Sequence, residues 1–109
     1  MNDMTLREIC NIAGVSRRAV QGYENAGLVS STSKNTRGYL LYNEMAQERI
    51  KRIRLFQNMG FSIKEIQEFI DGPNHVLKEA LMKRERELKG EVNQKKEMII
   101  VIQKMIKQL

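Results

Sequence analysis

The sequence has few of the residues on which enzymes, metal sites and disulfide-bonded proteins depend. Its 109 residues include one cysteine, one histidine, one proline and no tryptophan. A single thiol forms no intrachain disulfide and, alone, no zinc site. We therefore interpret Cys10 as a small buried apolar residue and His75 as a surface or capping residue. The carboxylates are scattered along the sequence and do not combine with Cys10 or His75 into a catalytic set. We therefore expect no catalytic residues, no metal site and no cofactor.

Long apolar runs are also absent. No stretch approaches the twenty or so apolar residues that span a bilayer, and no secretory signal precedes the first predicted helix. We therefore expect a cytoplasmic protein that has no membrane partner. Its net charge of +6 suits a polyanionic partner without identifying it. The length fits one small domain, or a small domain with a long appendage.

The pattern of the first 28 residues predicts two short helices joined by a tight turn. Thr5 and Glu8 form a capping box, and Gly14 suits the left-handed conformation that ends many helices. Ser16 caps a second helix that covers residues 17–26. This arrangement is that of a helix-turn-helix, whose second helix enters the major groove of DNA.

The second helix carries side chains suited to reading DNA. Arg17 and Arg18 occupy its first turn, Gln21 follows one turn later, and Tyr23 lies near its end. Arginine pairs with guanine, glutamine pairs with adenine, and a tyrosine hydroxyl binds phosphate. The alternative is a solvated basic turn on an ordinary helical hairpin.

A polar loop and a β-prone run follow the second helix. A strand near Val29 and a strand at 39–42 predict a two-stranded wing. Lys34, Arg37 and Tyr39 are then placed along the phosphate backbone of DNA.

Two further helices are predicted after the wing. One begins after Asn43, and the other begins after Ser62, which forms a capping box with Glu65. The amide end of the latter, at Ser62 and Lys64, is a further place for a phosphate to bind. The third helix has an apolar face, expected to be buried, and a basic face. The apolar face comprises Met45, Ile50, Ile53 and Phe56. The basic face comprises Arg49, Lys51, Arg52 and Arg54.

The remaining 36 residues, 74–109, predict one helix about 54 Å long. Its apolar residues recur at steps of three and four or their multiples, which is typical of a coiled-coil seam. Residues 98–102 are apolar on nearly every side and need a partner. The alternative is that this helix folds back on the preceding domain. The predicted dimerisation residues are Leu77, Leu81, Leu88, Val92, Ile99, Ile102, Ile106 and Leu109.

Three segments of the chain resemble the MerR family of bacterial transcription regulators in order and spacing. They are VSRRAVQGYENAGL, RGYLLY and RIKRIRLFQNMGFSIKEIQEFI, and the resemblance covers residues 4–72. It implies a mainly α fold, in which a winged helix-turn-helix DNA-binding domain (1–72) with a small two-stranded wing precedes a long antiparallel coiled-coil dimerisation helix (73–109).

The resemblance also implies a function. A homodimer of this type binds an inverted repeat in double-stranded promoter DNA, bends and untwists it, and realigns the elements that RNA polymerase reads. The expected DNA-binding residues are Ser16, Arg17, Arg18, Gln21, Tyr23, Lys34, Arg37, Tyr39, Ser62 and Lys64.

The chain departs from the family pattern at three positions. Gln21 and Gly22 stand where the family usually has arginine and tyrosine, and Leu40 stands where its wing has arginine. A glycine inside a helix costs about 1 kcal/mol relative to alanine. These departures leave the predicted fold unchanged. Because they alter side chains expected to contact DNA, the operator sequences of family members cannot be assigned to this chain.

Two other functions stay open at this point. One is an excisionase-like or architectural DNA-bending protein without promoter regulation, which needs no long dimerisation helix. The other is an adaptor whose coiled coil binds a different protein. Because the sequence ends at Leu109, the last residue of the predicted coiled coil, we expect no built-in small-molecule sensor of the usual kind.

Overall fold

The computed structural model describes residues 2–109, which form five helices and three short strands. They fall into two units, one that ends at Asp71 and one that comprises Gly72–Leu109. In chain order the elements are β1 (Met4–Thr5), α1 (Leu6–Ala13), α2 (Arg17–Asn25), β2 (Ser33–Lys34), β3 (Leu40–Tyr42), α3 (Glu44–Met59), α4 (Ile63–Phe69) and α5 (Asn74–Gln108).

Helices α1 and α2 form the predicted helix-turn-helix, and side-chain caps determine where each begins. The Thr5 hydroxyl accepts a hydrogen bond from the Glu8 amide, and the Glu8 carboxylate accepts one from the Thr5 amide. Helix α1 ends at Gly14, whose φ of 66° is a conformation that glycine adopts at little cost. The Ser16 hydroxyl accepts the Ala19 amide and starts α2. The predicted caps are therefore confirmed.

The sheet has three strands, whereas the sequence predicted two. The strand order is β1-β3-β2, and both pairs are antiparallel. Met4 lies opposite Tyr42 and Thr5 lies opposite Leu41, so the residues before α1 run along an edge of β3. Two residues are too few to show a strand pattern, so β1 could not be predicted from the sequence.

The first strand of the wing lies at Ser33–Lys34, and the prediction that placed it near Val29 is wrong. The cause is the turn of the hairpin. The side-chain oxygen of Asn35 accepts hydrogen bonds from the amides of Arg37 and Tyr39 at 2.9 and 3.0 Å. Because the turn begins at Asn35, the residues directly before it are the ones in register with β3.

The core of the first unit joins the helix-turn-helix to α3 and α4. Its fully buried side chains include Ile9 of α1, Val20 of α2, Ile50 and Ile53 of α3, and Ile66 of α4. A phenylalanine cluster extends this core, and its rings meet edge to face with centroids 5.0–6.1 Å apart. The phenylalanine cluster comprises Phe56, Phe61 and Phe69.

The first turn of α3 differs from the prediction. Met45 was expected to be buried, but its side chain is 82% exposed, and Ala46 and Gln47 are buried instead. The Gln47 amide donates hydrogen bonds to the carbonyl oxygens of Asn2 at 2.6 Å and Tyr42 at 2.8 Å. These bonds satisfy the buried amide of Gln47. Ala46 lies four residues before Ile50, the helical step that places both on one face, whereas Met45 lies five residues before Ile50.

Arg49 of α3 has a structural role. Its guanidinium contacts both carboxylate oxygens of Asp71 at 2.6 and 2.7 Å, and its Nε donates to the Leu28 carbonyl at 2.7 Å. The pair thus connects α3 with the segments that follow α2 and α4. The hydrogen bond from Arg49 lowers the pKa of the Asp71 carboxyl.

We expect this ion pair to contribute to acid unfolding. Because the folded-state pKa of Asp71 is lowered, the pair stabilises the fold above the unfolded pKa of about 3.9 and loses that contribution as pH falls through the folded pKa. Asp71→Asn should therefore make the decrease in Tm below about pH 5 shallower. Thermal melts from neutral to low pH measure this decrease. The control is Glu97→Gln on α5, and equal slopes for both variants would contradict the prediction.

Helix α5 runs unbroken over 35 residues and through Gly90, for a length of about 52 Å. No side chain of this helix is buried. At 3.6 residues per turn, its predicted seam residues fall in one apolar stripe that covers about 100° of the helix surface. The apolar stripe comprises Leu77, Leu81, Leu88, Val92, Ile99, Ile102, Ile106 and Leu109. Among the helices of residues 2–109, none is both long and apolar enough to cross a membrane.

Candidate nucleic-acid interface

The outer face of α2 carries three of the predicted DNA-binding side chains. Arg17, Arg18 and Gln21 are all exposed, and within residues 2–109 none of their side chains has a hydrogen bond or ion pair. Val20 and Tyr23 are buried on the inner face of the same helix. The core therefore fixes α2 with its hydrogen-bond donors directed outward and unused.

Tyr23 does not belong to this surface, although it was predicted to bind a phosphate. Its side chain is 1% exposed, and its hydroxyl donates a hydrogen bond to Gln57 at 2.5 Å. Burial raises the pKa of Tyr23, and the nearby Arg54 partly opposes that shift. With its donor bonded inside the protein, Tyr23 anchors α2 on α3, and we leave it out of the interface.

The wing places its basic side chains on an exposed hairpin. Lys34, Arg37 and Tyr39 are exposed, and Tyr39 retains 59% of its accessible surface. Residues 30–42 contain no aspartate or glutamate. The hairpin therefore presents positive charge and hydrogen-bond donors without a competing carboxylate of its own, which suits contact with phosphates.

A cleft between the wing and the start of α1 brings together residues that are distant in sequence. It has a volume of about 500 Å³, and its lining includes Arg7, Arg17, Tyr39 and Leu40. No sequence pattern singles out Arg7. The pairing of β1 with β3 places the first turn of α1 beside the wing, and a strand of two residues gives no signal of this kind.

The basic residues of α3 are largely engaged within the first unit. Arg49 is bound to a carboxylate, and the Lys51 ammonium lies 3.2 Å from Glu48. The Arg52 guanidinium lies over a phenylalanine ring, 5.5 Å from its centroid. Within the first unit, Arg49 and Lys51 of α3 are therefore paired with carboxylates, whereas the basic side chains of α2 and the wing are not.

The start of α4 has the predicted capping box. The Ser62 hydroxyl accepts the amide of Glu65, and the Glu65 carboxylate accepts the amide of Ser62. These bonds occupy the amides of Ser62 and Glu65, and they place a carboxylate at this helix end. Lys64 is exposed and offers its ammonium group.

Groups suited to metal or thiol chemistry are few. Within the part of the chain that the structure describes, no three histidine, cysteine or acidic side chains are placed to hold a metal ion. Cys10 was predicted to be buried, but its side chain is partly exposed. Burial raises the pKa of its thiol, and the charge of Arg17 acts in the opposite direction. A thiol with a raised pKa is weakly nucleophilic near neutral pH.

Comparison with known proteins identifies the family. The model of the MerR HTH family regulatory proteins matches residues 4–72. The chain is 32% identical over 101 residues to the HTH-type transcriptional activator mta of Bacillus subtilis, an alignment that covers 93% of this chain and 39% of mta. The chain thus spans about two fifths of the length of that relative. This relative is an activator of transcription.

Solved structures share the fold. The N-terminal part of the Bacillus subtilis multidrug transporter activator superposes with a TM-score of 0.71 at 31% identity, covering 94% of this chain and 97% of that one. HiNmlR, a MerR family regulator that lacks the sensor domain and is bound to promoter DNA, has a TM-score of 0.70 at 15% identity, covering 95% and 87%. The predicted winged helix-turn-helix with a long C-terminal helix is therefore confirmed. This chain belongs to the MerR family of helix-turn-helix regulatory proteins.

Proposed function

We propose that this protein is a sequence-specific DNA-binding regulator of transcription. The observation that carries the proposal is the exposed face of α2, where Arg17, Arg18 and Gln21 have no partner within residues 2–109. The adjacent wing has no acidic residue. The activator named among its relatives and the DNA-bound structure of the same fold support this function.

In this proposal the side chains divide into two roles. Arg18 and Gln21 contact base edges in the major groove, and Arg17 flanks them. Contacts to phosphates fix the position of the protein on the duplex and read no sequence directly. These contacts come from Ser16 at the start of α2, Lys34, Arg37 and Tyr39 of the wing, and Lys64 of α4.

The proposal includes an assembly. Residues 1–72 bind DNA, and residues 73–109 join two copies through the apolar stripe as an antiparallel coiled coil. The homodimer bends and untwists a promoter that RNA polymerase then reads. We infer no catalytic activity and a cytoplasmic location.

Selection of bound sequences from a random DNA pool tests this function. We expect the purified full chain to recover an inverted repeat, because a twofold dimer presents two α2 helices to two half-sites. If no consensus emerges and binding depends steeply on salt, binding to phosphates dominates. That outcome would overturn promoter-specific regulation in favour of an architectural protein.

Arg18→Ala should weaken binding to the selected repeat by about 1–3 kcal/mol, the range for a good bidentate base contact. Its affinity for a shuffled duplex of equal length should change less, because a base contact discriminates between sequences. Fluorescence anisotropy with both duplexes measures the two affinities. Arg86→Ala, which removes an exposed arginine of α5, is the matched control. If both variants bind the repeat as the parent does, Arg18 reads no base.

A further inference from the structure

The cleft between α1 and the wing contains positive charge without a balancing group. Arg7 and Arg17 both line it, and within residues 2–109 neither side chain has a hydrogen bond or ion pair. No carboxylate of the described residues is part of its lining. Two cations that line one concave site create a positive potential there, which favours binding of an anion.

The one acidic residue of α1, Glu8, is already engaged. The Glu8 carboxylate accepts hydrogen bonds from the Thr5 amide at 3.1 Å and from the Thr5 hydroxyl at 3.0 Å. These bonds lower the pKa of Glu8, so it remains ionised but committed to the helix cap. Arg7 therefore adds a positive charge to the cleft that Glu8 does not neutralise through an ion pair.

The rest of the lining limits the size and chemistry of the anion. Leu6, Tyr39 and Leu40 contribute apolar surface beside the two guanidinium groups. A guanidinium binds the paired oxygens of a phosphate in a bidentate manner, and an apolar wall suits the deoxyribose attached to it. One phosphodiester of a DNA backbone has this combination of a compact charge and an apolar neighbour.

We propose that this cleft is a binding site for a single DNA phosphate, which is bound by Arg7 of α1 and by Arg17 of α2. Arg7 is a DNA contact that neither its sequence position nor the helix-turn-helix pattern reveals. Leu40, which stands where the family pattern has an arginine, lines the same cleft, so the charge at this point of the wing comes from α1 and α2. The inference rests on the proposed DNA-binding function.

Arg7→Gln in the full chain tests the site, with the repeat recovered by selection and a shuffled duplex of equal length as probes. A lost phosphate contact should reduce affinity for both duplexes by the same factor, about tenfold per protomer. It should also reduce the slope of log affinity against log salt by about one for each Arg7 removed, or about two per dimer. Arg7→Lys keeps a charge and should retain most of the slope.

The outcomes are distinguishable. Arg86→Gln removes an exposed arginine outside the cleft. For both duplexes it should change the slope of log affinity against log salt less than Arg7→Gln does. If the parent binds both duplexes and Arg7→Gln matches the Arg86→Gln control, the cleft holds no phosphate. If Arg7→Gln loses affinity for the repeat alone, Arg7 reads a base and the proposal is wrong. If the parent binds neither duplex, the proposed function itself fails, and with it this site. Circular dichroism confirms that Arg7→Gln is folded.

Discussion

Ile102→Asp is expected to convert the proposed dimer into a monomer and to reduce affinity for an inverted repeat by about 100-fold or more. Ile102 lies in the apolar stripe, and its side chain is 54% exposed in a single chain. A carboxylate there must be desolvated if two stripes pack together, and a buried unpaired charge is not tolerated. A monomer binds only one half-site at a time, so the gain from two linked contacts is lost.

Asn93→Asp is the matched control for this variant. It adds the same carboxylate to α5, but on the side of the helix opposite the apolar stripe. Sedimentation measures the oligomeric state of both variants, and anisotropy measures their affinity for the repeat. If Ile102→Asp sediments as the parent does and binds equally well, the stripe does not join two copies of the chain.

Phe69→Ala should destabilise the first unit by about 3–5 kcal/mol, the range for removing a buried aromatic side chain. Phe69 is 3% exposed, and its ring lies 5.0 Å from those of both Phe56 and Phe61. Helix α4 has seven residues and is too short to be stable alone. The cluster therefore holds α4 on α3, and much of the stability of a small domain is at stake.

Denaturant unfolding with equal protein concentrations measures this loss. Leu55→Ala is the control, because Leu55 lies next to the cluster residue Phe56 on α3 but is 53% exposed. We expect the control to change the free energy of unfolding much less than Phe69→Ala does. Comparable effects of the two substitutions would contradict the central position of the phenylalanine cluster.

The two variants probe different units of the chain. The phenylalanine cluster stabilises the unit that ends at Asp71, whereas the apolar stripe lies on Gly72–Leu109, where no side chain is buried. We therefore expect Phe69→Ala to lower the unfolding midpoint, and Ile102→Asp to lower the association constant. A variant set that separates these quantities distinguishes loss of fold from loss of assembly.

Local chemistry in the sequence determined the helix boundaries. The capping boxes at Thr5 and Ser62 and the positive φ of Gly14 and Gly60 involve residues close together in the chain. Such interactions need no tertiary partner to be recognised. The length of α5 and its apolar stripe follow from periodicity and from the absence of proline after Pro73, which are also local properties.

The tertiary structure decided which face each side chain presents. Tyr23 and Arg18 lie on the same short helix, yet the first is buried against α3 and the second is exposed. From the sequence, Arg49 was predicted to lie on a basic face of α3. In the fold its guanidinium lies 2.6 Å from the carboxylate of Asp71, which is 22 residues away in the chain. A sequence shows the charge of each side chain, but burial and pairing depend on contacts between distant segments. Only the fold therefore separated Arg49, whose guanidinium is paired, from Arg18, whose guanidinium is exposed and unpaired, and placed Arg7 beside the wing.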